Sequence, residues 1–341
     1  MRQKIGCETP RGTMKRGIWI GSLTLIAITL GLLNYLFRPL LRYPEPATLR
    51  CAGEARGRIA PLEEPRRIYG LGLSYAGHIA ESPGLWEPGQ PPVFEKRKRS
   101  INRSNQLPYP DRRALFEAAA RVDPEHAEAL DAKVGPIDPL LDYEVEIGLV
   151  VLEPIERKSL TDPDFAPPLG FFVANDITAR ILIGMAPDFV STVDYLAEGK
   201  GLAGFLPLGD RQWTPLQPGV DLWPCVELIT EVNGDTRQRS PSSDIIAGPR
   251  EILLAVAESF GLMGFEPGDW VLTGTPGGVA MQTPGWIQRG LALLDPDAAT
   301  KVAAMSENAA SGRFLSPGDE VVVQAGFLGE SRVRVVAVEP D

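Results

Sequence analysis

The stretch Leu141-Asp142-Tyr143-Glu144-Val145-Glu146-Ile147-Gly148-Leu149-Val150-Val151-Leu152 decides how this chain reads. It lies between Pro139 and Pro154 and is rich in β-branched and aromatic residues, so it predicts a β-strand. Side chains alternate across a strand, which sends Tyr143, Val145 and Ile147 to one face and Glu144 and Glu146 to the other. Two carboxylates on one face repel each other, and burying either without a partner is unfavourable. A divalent cation removes both penalties, because hard cations prefer carboxylate oxygens. An edge strand with a wet acidic face is the competing reading of these residues alone.

A second apolar run, Gly170-Phe171-Phe172-Val173-Ala174, ends abruptly in Asn175-Asp176. An acid at the mouth of a strand is a natural third oxygen ligand. Glu144, Glu146 and Asp176 are therefore the candidate metal ligands, able to hold one face of an octahedral ion and leave positions for substrate and water. No local rule makes the two strands neighbours.

The composition narrows the function classes. In 341 residues, 44% are hydrophobic and 23% charged, ordinary values for a globular protein with a sizeable core. A net charge of −10 argues against a nucleic-acid partner, and the basic run Lys96-Arg97-Lys98-Arg99 is too short to reverse it. The spacing of Cys7, Cys51 and Cys225 fits neither a zinc site nor a disulfide framework. No Gly-x-Ser-x-Gly elbow is present, which disfavours a serine hydrolase of the α/β type. In Gly70-Leu71-Gly72-Leu73-Ser74-Tyr75, Tyr75 stands where a dinucleotide fingerprint needs its third Gly.

Gly17 to Phe37 carries no charge, and about 20 apolar residues suffice to cross a bilayer as a helix. Trp19 and Tyr35 near its ends suit interfacial anchors. The expectation is an uncleaved single-pass anchor at 17–37, in a bacterial inner membrane, after a basic tail at 1–16. The excess of Lys and Arg in that tail favours a cytoplasmic N-terminus and a folded domain on the non-cytoplasmic side. Residues 38–65, rich in Pro and Arg, read as a linker with at most one short strand. The catalytic domain is expected at 66–341.

Within it, His78 and Glu81 are three apart and meet on a helical turn. A carboxylate touching an imidazole orients it and raises its basicity, which is how a general base is built. Asp111 to Lys133 predicts helix, split by Pro124, and His126 at that helix start is given no role. Lys200 sits between glycines, a pattern that suits a mobile loop presenting a cation to an anion. Val226 to Val232 predicts a strand ending in the hairpin turn Asn233-Gly234. Pro249 opens a helix that closes at Gly261, with Ile252, Leu253, Val256 and Phe260 on its buried face. The strand from Trp270 ends in Thr273-Gly274-Thr275, where a hydroxyl and nearby N–H groups suit a carboxylate.

In this order these pieces resemble the fumarylacetoacetate hydrolase family. The residues that carry the resemblance are Gly72-Leu73-Ser74-Tyr75-Ala76-Gly77-His78-Ile79-Ala80-Glu81, Asp142-Tyr143-Glu144-Val145-Glu146, Val173-Ala174-Asn175-Asp176-Ile177-Thr178-Ala179-Arg180, Gly199-Lys200, Val232-Asn233-Gly234, and Glu266-Pro267-Gly268-Asp269 through Leu272-Thr273-Gly274-Thr275-Pro276-Gly277-Gly278-Val279. The resemblance implies a mainly β (α+β) fold: a rolled mixed sheet with a few peripheral helices, here preceded by the transmembrane helix. It also implies a homodimer and a site for Mg2+, Mn2+ or Ca2+ on Glu144, Glu146 and Asp176. The implied substrate is a small anionic 2-oxo or 2,4-dioxo carboxylate, handled by C–C hydrolysis, decarboxylation or isomerisation. His78, Glu81 and Lys200 take the catalytic positions, and Tyr75, Lys96, Arg180, Gly274 and Thr275 the substrate-binding ones.

The chain departs from the family pattern at several points. Ser74 stands where an Asn is common, and Ile181-Leu182-Ile183 follow Arg180 where Asp-x-Gln is frequent. Those isoleucines predict an apolar distal pocket. A membrane-anchored, non-catalytic binding protein on the same fold is the competing function.

Overall fold

The computed structural model describes residues 44–81, 91–188, 190–282, 296–307 and 313–337. The two runs singled out above are neighbours. Leu169–Asn175 pairs antiparallel with Val145–Val151, in a register that sets Ala174 opposite Glu146 and Asn175 opposite Val145. Every residue of both strands is buried. They are the middle of a seven-stranded sheet with the order Gly57–Pro61, Arg211–Pro215, Leu169–Asn175, Val145–Val151, Asp269–Leu272, Arg67–Leu71, Val93–Lys96. Neighbours are antiparallel except Asp269–Leu272 and Arg67–Leu71, which are parallel.

The period of two sorts this sheet into two apolar layers. Val145, Ile147, Leu149 and Val151 join Phe171, Val173 and the helix Pro249–Ser259 in one core. Val150, Phe172 and Ala174 join Trp270 and Leu272 in the other. A second, five-stranded sheet has the order Asp235–Pro241, Glu227–Val232, Glu320–Gln324, Glu330–Ala337, Gln106–Tyr109. Its first hairpin turns at Asn233 and Gly234, with φ of +53° and +85°, the left-handed pair that a two-residue hairpin needs. Val323, Ala325 and Leu328 of this half pack into the core of Val145 and Ile147.

Helices are few and peripheral to the sheets, as expected. Asp111 caps Arg112–Ala120 by accepting from the Ala114 N–H at 2.7 Å, and Asp123 caps Pro124–Asp131 through the His126 N–H at 3.0 Å. These two pack with Ile181–Met185, Thr192–Lys200 and Ala298–Glu307 around a third apolar cluster.

Several expectations are corrected. Among the described residues no helix is long and apolar enough to cross a membrane, which overturns the membrane-anchored localisation; the anchor expected at 17–37 lies outside the described residues. The segment expected as a linker with a short strand carries two: Arg50–Ala52 pairs parallel with Leu222–Pro224, and Gly57–Pro61 forms an edge of the large sheet. That pairing brings Cys51 and Cys225 to a Cα–Cα distance of 5.2 Å, and they form a disulfide across 174 residues of sequence. Cysteine spacing cannot reveal such a bridge, because only tertiary pairing closes it. Phe260 is partly exposed, and Ala257 takes its place on the buried face of the Pro249 helix.

Candidate active site and metal centre

The opening stretch is not one strand. Leu141–Asp142 and Val145–Val151 are separate, and the break falls at Tyr143 and Glu144. The partner breaks at the same level, because Thr178–Ala179 pairs with Leu141–Asp142 in a second short ladder. At this paired break the Glu144 N–H donates to the Asn175 side chain at 2.9 Å, and the Asp176 N–H to the Glu144 carbonyl at 2.9 Å. Backbone groups released from the ladder are thus satisfied locally, and the side chains of Glu144 and Asp176 turn inward. Glu144, Glu146 and Asp176 are all buried, and one carboxylate oxygen from each lies within 4.8 Å of the others.

Three cations enter this acidic centre. Lys200 Nζ donates to Glu144 Oε2 at 2.8 Å, Asp176 Oδ2 at 2.7 Å and Thr178 Oγ1 at 2.9 Å. Lys96 Nζ donates to Asp176 Oδ1 and to the Lys200 carbonyl. Arg180 directs Nε to Asp142 at 2.9 Å and Nη2 to Glu144. Asp142 also accepts from the N–H groups of Tyr143, Ala280 and Met281 at 2.9, 2.7 and 3.1 Å. Among the described residues Glu146 takes no cation; its partner is the Gly274 N–H at 2.8 Å.

Ionisation follows from these contacts. Burial pushes the Glu144 carboxyl up, but Lys200 and Arg180 outweigh it and hold the group down at about 2. Burial raises Glu146 well above the usual carboxylate range, and Asp176 and Glu144 push the same way. Burial lowers Lys96, opposed by Asp176. For Lys200, burial is outweighed by Asp176, Glu144 and Glu146, and its ammonium is held charged.

The helix Ala76–Glu81 carries His78, whose Nδ1 is 3.8 Å from Glu81 Oε2. His78 is buried, and that nitrogen has no hydrogen-bond partner among the described residues. Glu81 is held from behind by the Gly278 N–H at 2.8 and 3.0 Å and the Gln282 side chain at 3.1 Å. Gly274 has φ +86°, and a Cβ there would lie 2.2 Å from Ser74 Oγ, so only glycine brings this N–H to Glu146. Thr275 is buried and accepts from Gln238 Nε2 at 2.8 Å.

Other expected residues lie elsewhere in the geometry. The Tyr75 hydroxyl points to the Ser242 carbonyl at 3.4 Å, within the main core. Arg180 is engaged with Asp142 and Glu144 instead of opening toward a ligand. Ile181 is fully buried in the helical cluster, which removes its support for an apolar distal half. Asp142, Thr178 and Gln238 were not singled out from the sequence. Asp142 stands beside the Glu-x-Glu pair but has no local signal of burial, and Gln238 lies in a strand rich in polar residues.

The donor set fits a divalent cation. Three buried carboxylates converge, and among the described residues one of them has no cationic partner.

The sequence profile of the fumarylacetoacetate (FAA) hydrolase C-terminal domain matches residues 67–336. The chain belongs to the fumarylacetoacetate hydrolase family. Two Burkholderia proteins, from B. ambifaria and B. multivorans, are 30% and 29% identical to this family member over 258 residues, covering 71% of this chain and 72% of each relative. Both are provisionally named hydrolases. A solved structure from Mycobacterium smegmatis, provisionally named HpcE, is 24% identical with a TM-score of 0.52, covering 81% of this chain and 76% of that one. A fumarylpyruvate hydrolase from Pseudomonas aeruginosa, solved with Mn2+ and pyruvate, is 21% identical with a TM-score of 0.49, covering 87% and 99%.

Proposed function

We propose that this family member is a divalent-metal-dependent enzyme acting on a small 2-oxo or 2,4-dioxo carboxylate, by C–C bond hydrolysis or decarboxylation. The observation that carries the reading is the convergence of Glu144, Glu146 and Asp176, with Lys200 bonded to two of them. Mg2+ or Mn2+, when bound to the three carboxylates, supplies a Lewis acid for the substrate's carboxylate and 2-oxo oxygens.

The chain's own groups supply the rest. With Nδ1 turned to Glu81, His78 Nε2 is the atom that takes a proton from an attacking water. Glu81, fixed by the Gly278 N–H, orients the ring and stabilises the imidazolium that forms. In a 2,4-dioxo acid, that water adds at the 4-oxo carbon. The bond between carbons 3 and 4 breaks, a carboxylic acid leaves, and the remaining enolate takes a proton at carbon 3. Lys200, held charged in a buried site, neutralises the enolate oxygen. Lys96 and the Thr275 hydroxyl donate to the substrate carboxylate.

The test is a panel of acylpyruvates and oxaloacetate, followed spectroscopically with and without Mg2+ or Mn2+. Metal-dependent turnover of a 2-oxo acid is expected, with competitive inhibition by oxalate, a planar mimic of the enolate. Turnover of a neutral ester without added metal, and no effect of oxalate, would refute the reading.

A further inference from the structure

Gln238 lies on the strand Asp235–Pro241 of the five-stranded sheet and is 1% exposed. All four hydrogen-bonding positions of its amide are used. Oε1 accepts from the Val145 N–H at 3.1 Å and from the Thr230 hydroxyl at 2.7 Å. Nε2 donates to Thr275 Oγ1 at 2.8 Å and to the Pro276 carbonyl at 3.0 Å.

Chemistry fixes which end of the amide is which. A backbone N–H can only donate, so the atom facing Val145 is the oxygen. A carbonyl can only accept, so the atom facing Pro276 is the nitrogen. Thr275 Oγ1 therefore receives a hydrogen from Gln238, and its own proton must go to a different acceptor. Among the described residues, Thr275 Oγ1 donates to none. The preceding residue, Gly274, donates its N–H to Glu146 at 2.8 Å. Val145, at the other end of the amide, lies between Glu144 and Glu146 in the chain.

We infer that Gln238 is a positioning residue that makes Thr275 a committed donor to the carboxylate of the substrate anion, in register with the Glu144 and Glu146 strand. The inference rests on the proposed function. A hydroxyl that may either donate or accept must be oriented when the ligand arrives. One that already accepts from Gln238 presents its proton beforehand, and this preorganisation strengthens binding of an anion. A neutral ligand that offers no acceptor there leaves the proton unsatisfied.

The experiment measures oxalate binding by calorimetry at saturating Mn2+ for the full chain, with Mn2+ affinity and melting temperature as controls. The variants are Gln238→Glu, Gln238→Met, Thr275→Val and Gln238→Met/Thr275→Val. In Gln238→Glu one oxygen still accepts from Val145 and Thr230, while the other, in place of the NH2, no longer donates to both Thr275 and Pro276 and, when ionised, draws the Thr275 proton to itself. Both Gln238 variants are expected to weaken oxalate about tenfold, the scale of one hydrogen bond to a charged group, while Mn2+ affinity changes little. The double variant is expected to bind oxalate no more weakly than Thr275→Val. If Gln238→Met fails to fold, Gln238→Glu carries the comparison. Oxalate affinity unchanged in the Gln238 variants would overturn the inference alone, as would losses that multiply in the double variant. A wild-type protein that binds Mn2+ but no oxalate would overturn the proposed function and this inference with it.

Discussion

Replacing Lys200 by Met tests the centre of the site, because methionine keeps much of the stem and removes the charge. In the metal-free protein Lys200 joins Glu144 Oε2 at 2.8 Å and Asp176 Oδ2 at 2.7 Å, all three groups being buried. Removing one partner of a buried ion pair costs about 3–5 kcal/mol, since it leaves uncompensated charge behind. Arg180 still reaches Glu144 and Lys96 still reaches Asp176, so the lower end, about 3 kcal/mol, applies. At about 2–4 °C per kcal/mol, the chelated variant should melt roughly 6–12 °C below the wild type.

Lys200 bonds two of the three carboxylates that would hold a divalent cation, so metal and ammonium compete for the same negative charge. Charge lost with the lysine is resupplied when metal binds. Around the thermodynamic cycle, the variant should therefore bind metal more tightly, by up to about 100-fold for 3 kcal/mol. Turnover should fall sharply at the same time. Differential scanning fluorimetry of both proteins in chelator and across a Mn2+ titration reads both terms. Equal melting temperatures in chelator would refute the pairing. A smaller Mn2+-induced rise in Lys200→Met than in the wild type would refute the competition.

Three further outcomes are expected. His78→Ala should abolish turnover and keep the Mn2+-induced rise in melting temperature; retained turnover would move the base to another residue. Reducing the disulfide, or replacing Cys51 and Cys225 by Ser, reopens a loop of 174 residues. Loop-closure entropy for that length is about 5 kcal/mol, and native disulfides contribute about 2–5, so an unchanged melting temperature would show that the bridge does not constrain the unfolded chain. The acid pair should give opposing pH effects. The lowered Glu144 contributes stability that is present above its ordinary range and lost as pH falls toward about 2. The raised Glu146 lowers metal-free stability as pH rises through its elevated value, and metal binding should release its proton. Calorimetry in buffers of different ionisation heat checks this release, and a buffer-independent heat counts against it.

What the sequence disclosed was what local geometry controls. Alternation in Val145–Val151 depends only on the strand's own pleat, and it put Glu146 on the face opposite Ile147 correctly. The three-residue spacing of His78 and Glu81 depends only on a helical turn, and the two side chains meet. The glycines that flank Lys200 in sequence suggest a mobile loop. Lys200 is in fact the last residue of the helix Thr192–Lys200, and Gly201 is where that helix stops. Asp142 was invisible as a structural anchor because its partners Arg180, Ala280 and Met281 are 38, 138 and 139 residues away. The Asp142 contact of Arg180 is hidden for the same reason, since the two residues lie on different stretches of the chain. Pairings of that range are set by the sheet register, which no single stretch encodes.

The charge balance of the site bears on which 2-oxo acids it should prefer. Four buried carboxylates, Asp142, Glu144, Glu146 and Asp176, face three cations, Lys96, Lys200 and Arg180, so the ionised centre carries −4 + 3 = −1. A divalent cation changes this to +1, and one substrate carboxylate brings it to zero. A second carboxylate would leave an extra buried negative charge unless it met a further cation. An uncompensated charge in a site of this burial costs about 3 kcal/mol or more, upward of 100-fold in affinity. Acylpyruvates with a neutral tail should therefore show kcat/KM at least tenfold above dicarboxylic analogues of the same length. The comparison is direct: acetylpyruvate against a 2,4-dioxo dicarboxylate, at saturating Mn2+ and fixed ionic strength. Equal or better turnover of the dicarboxylate would mean that a cation outside these seven groups reaches the substrate, and the charge argument would fail.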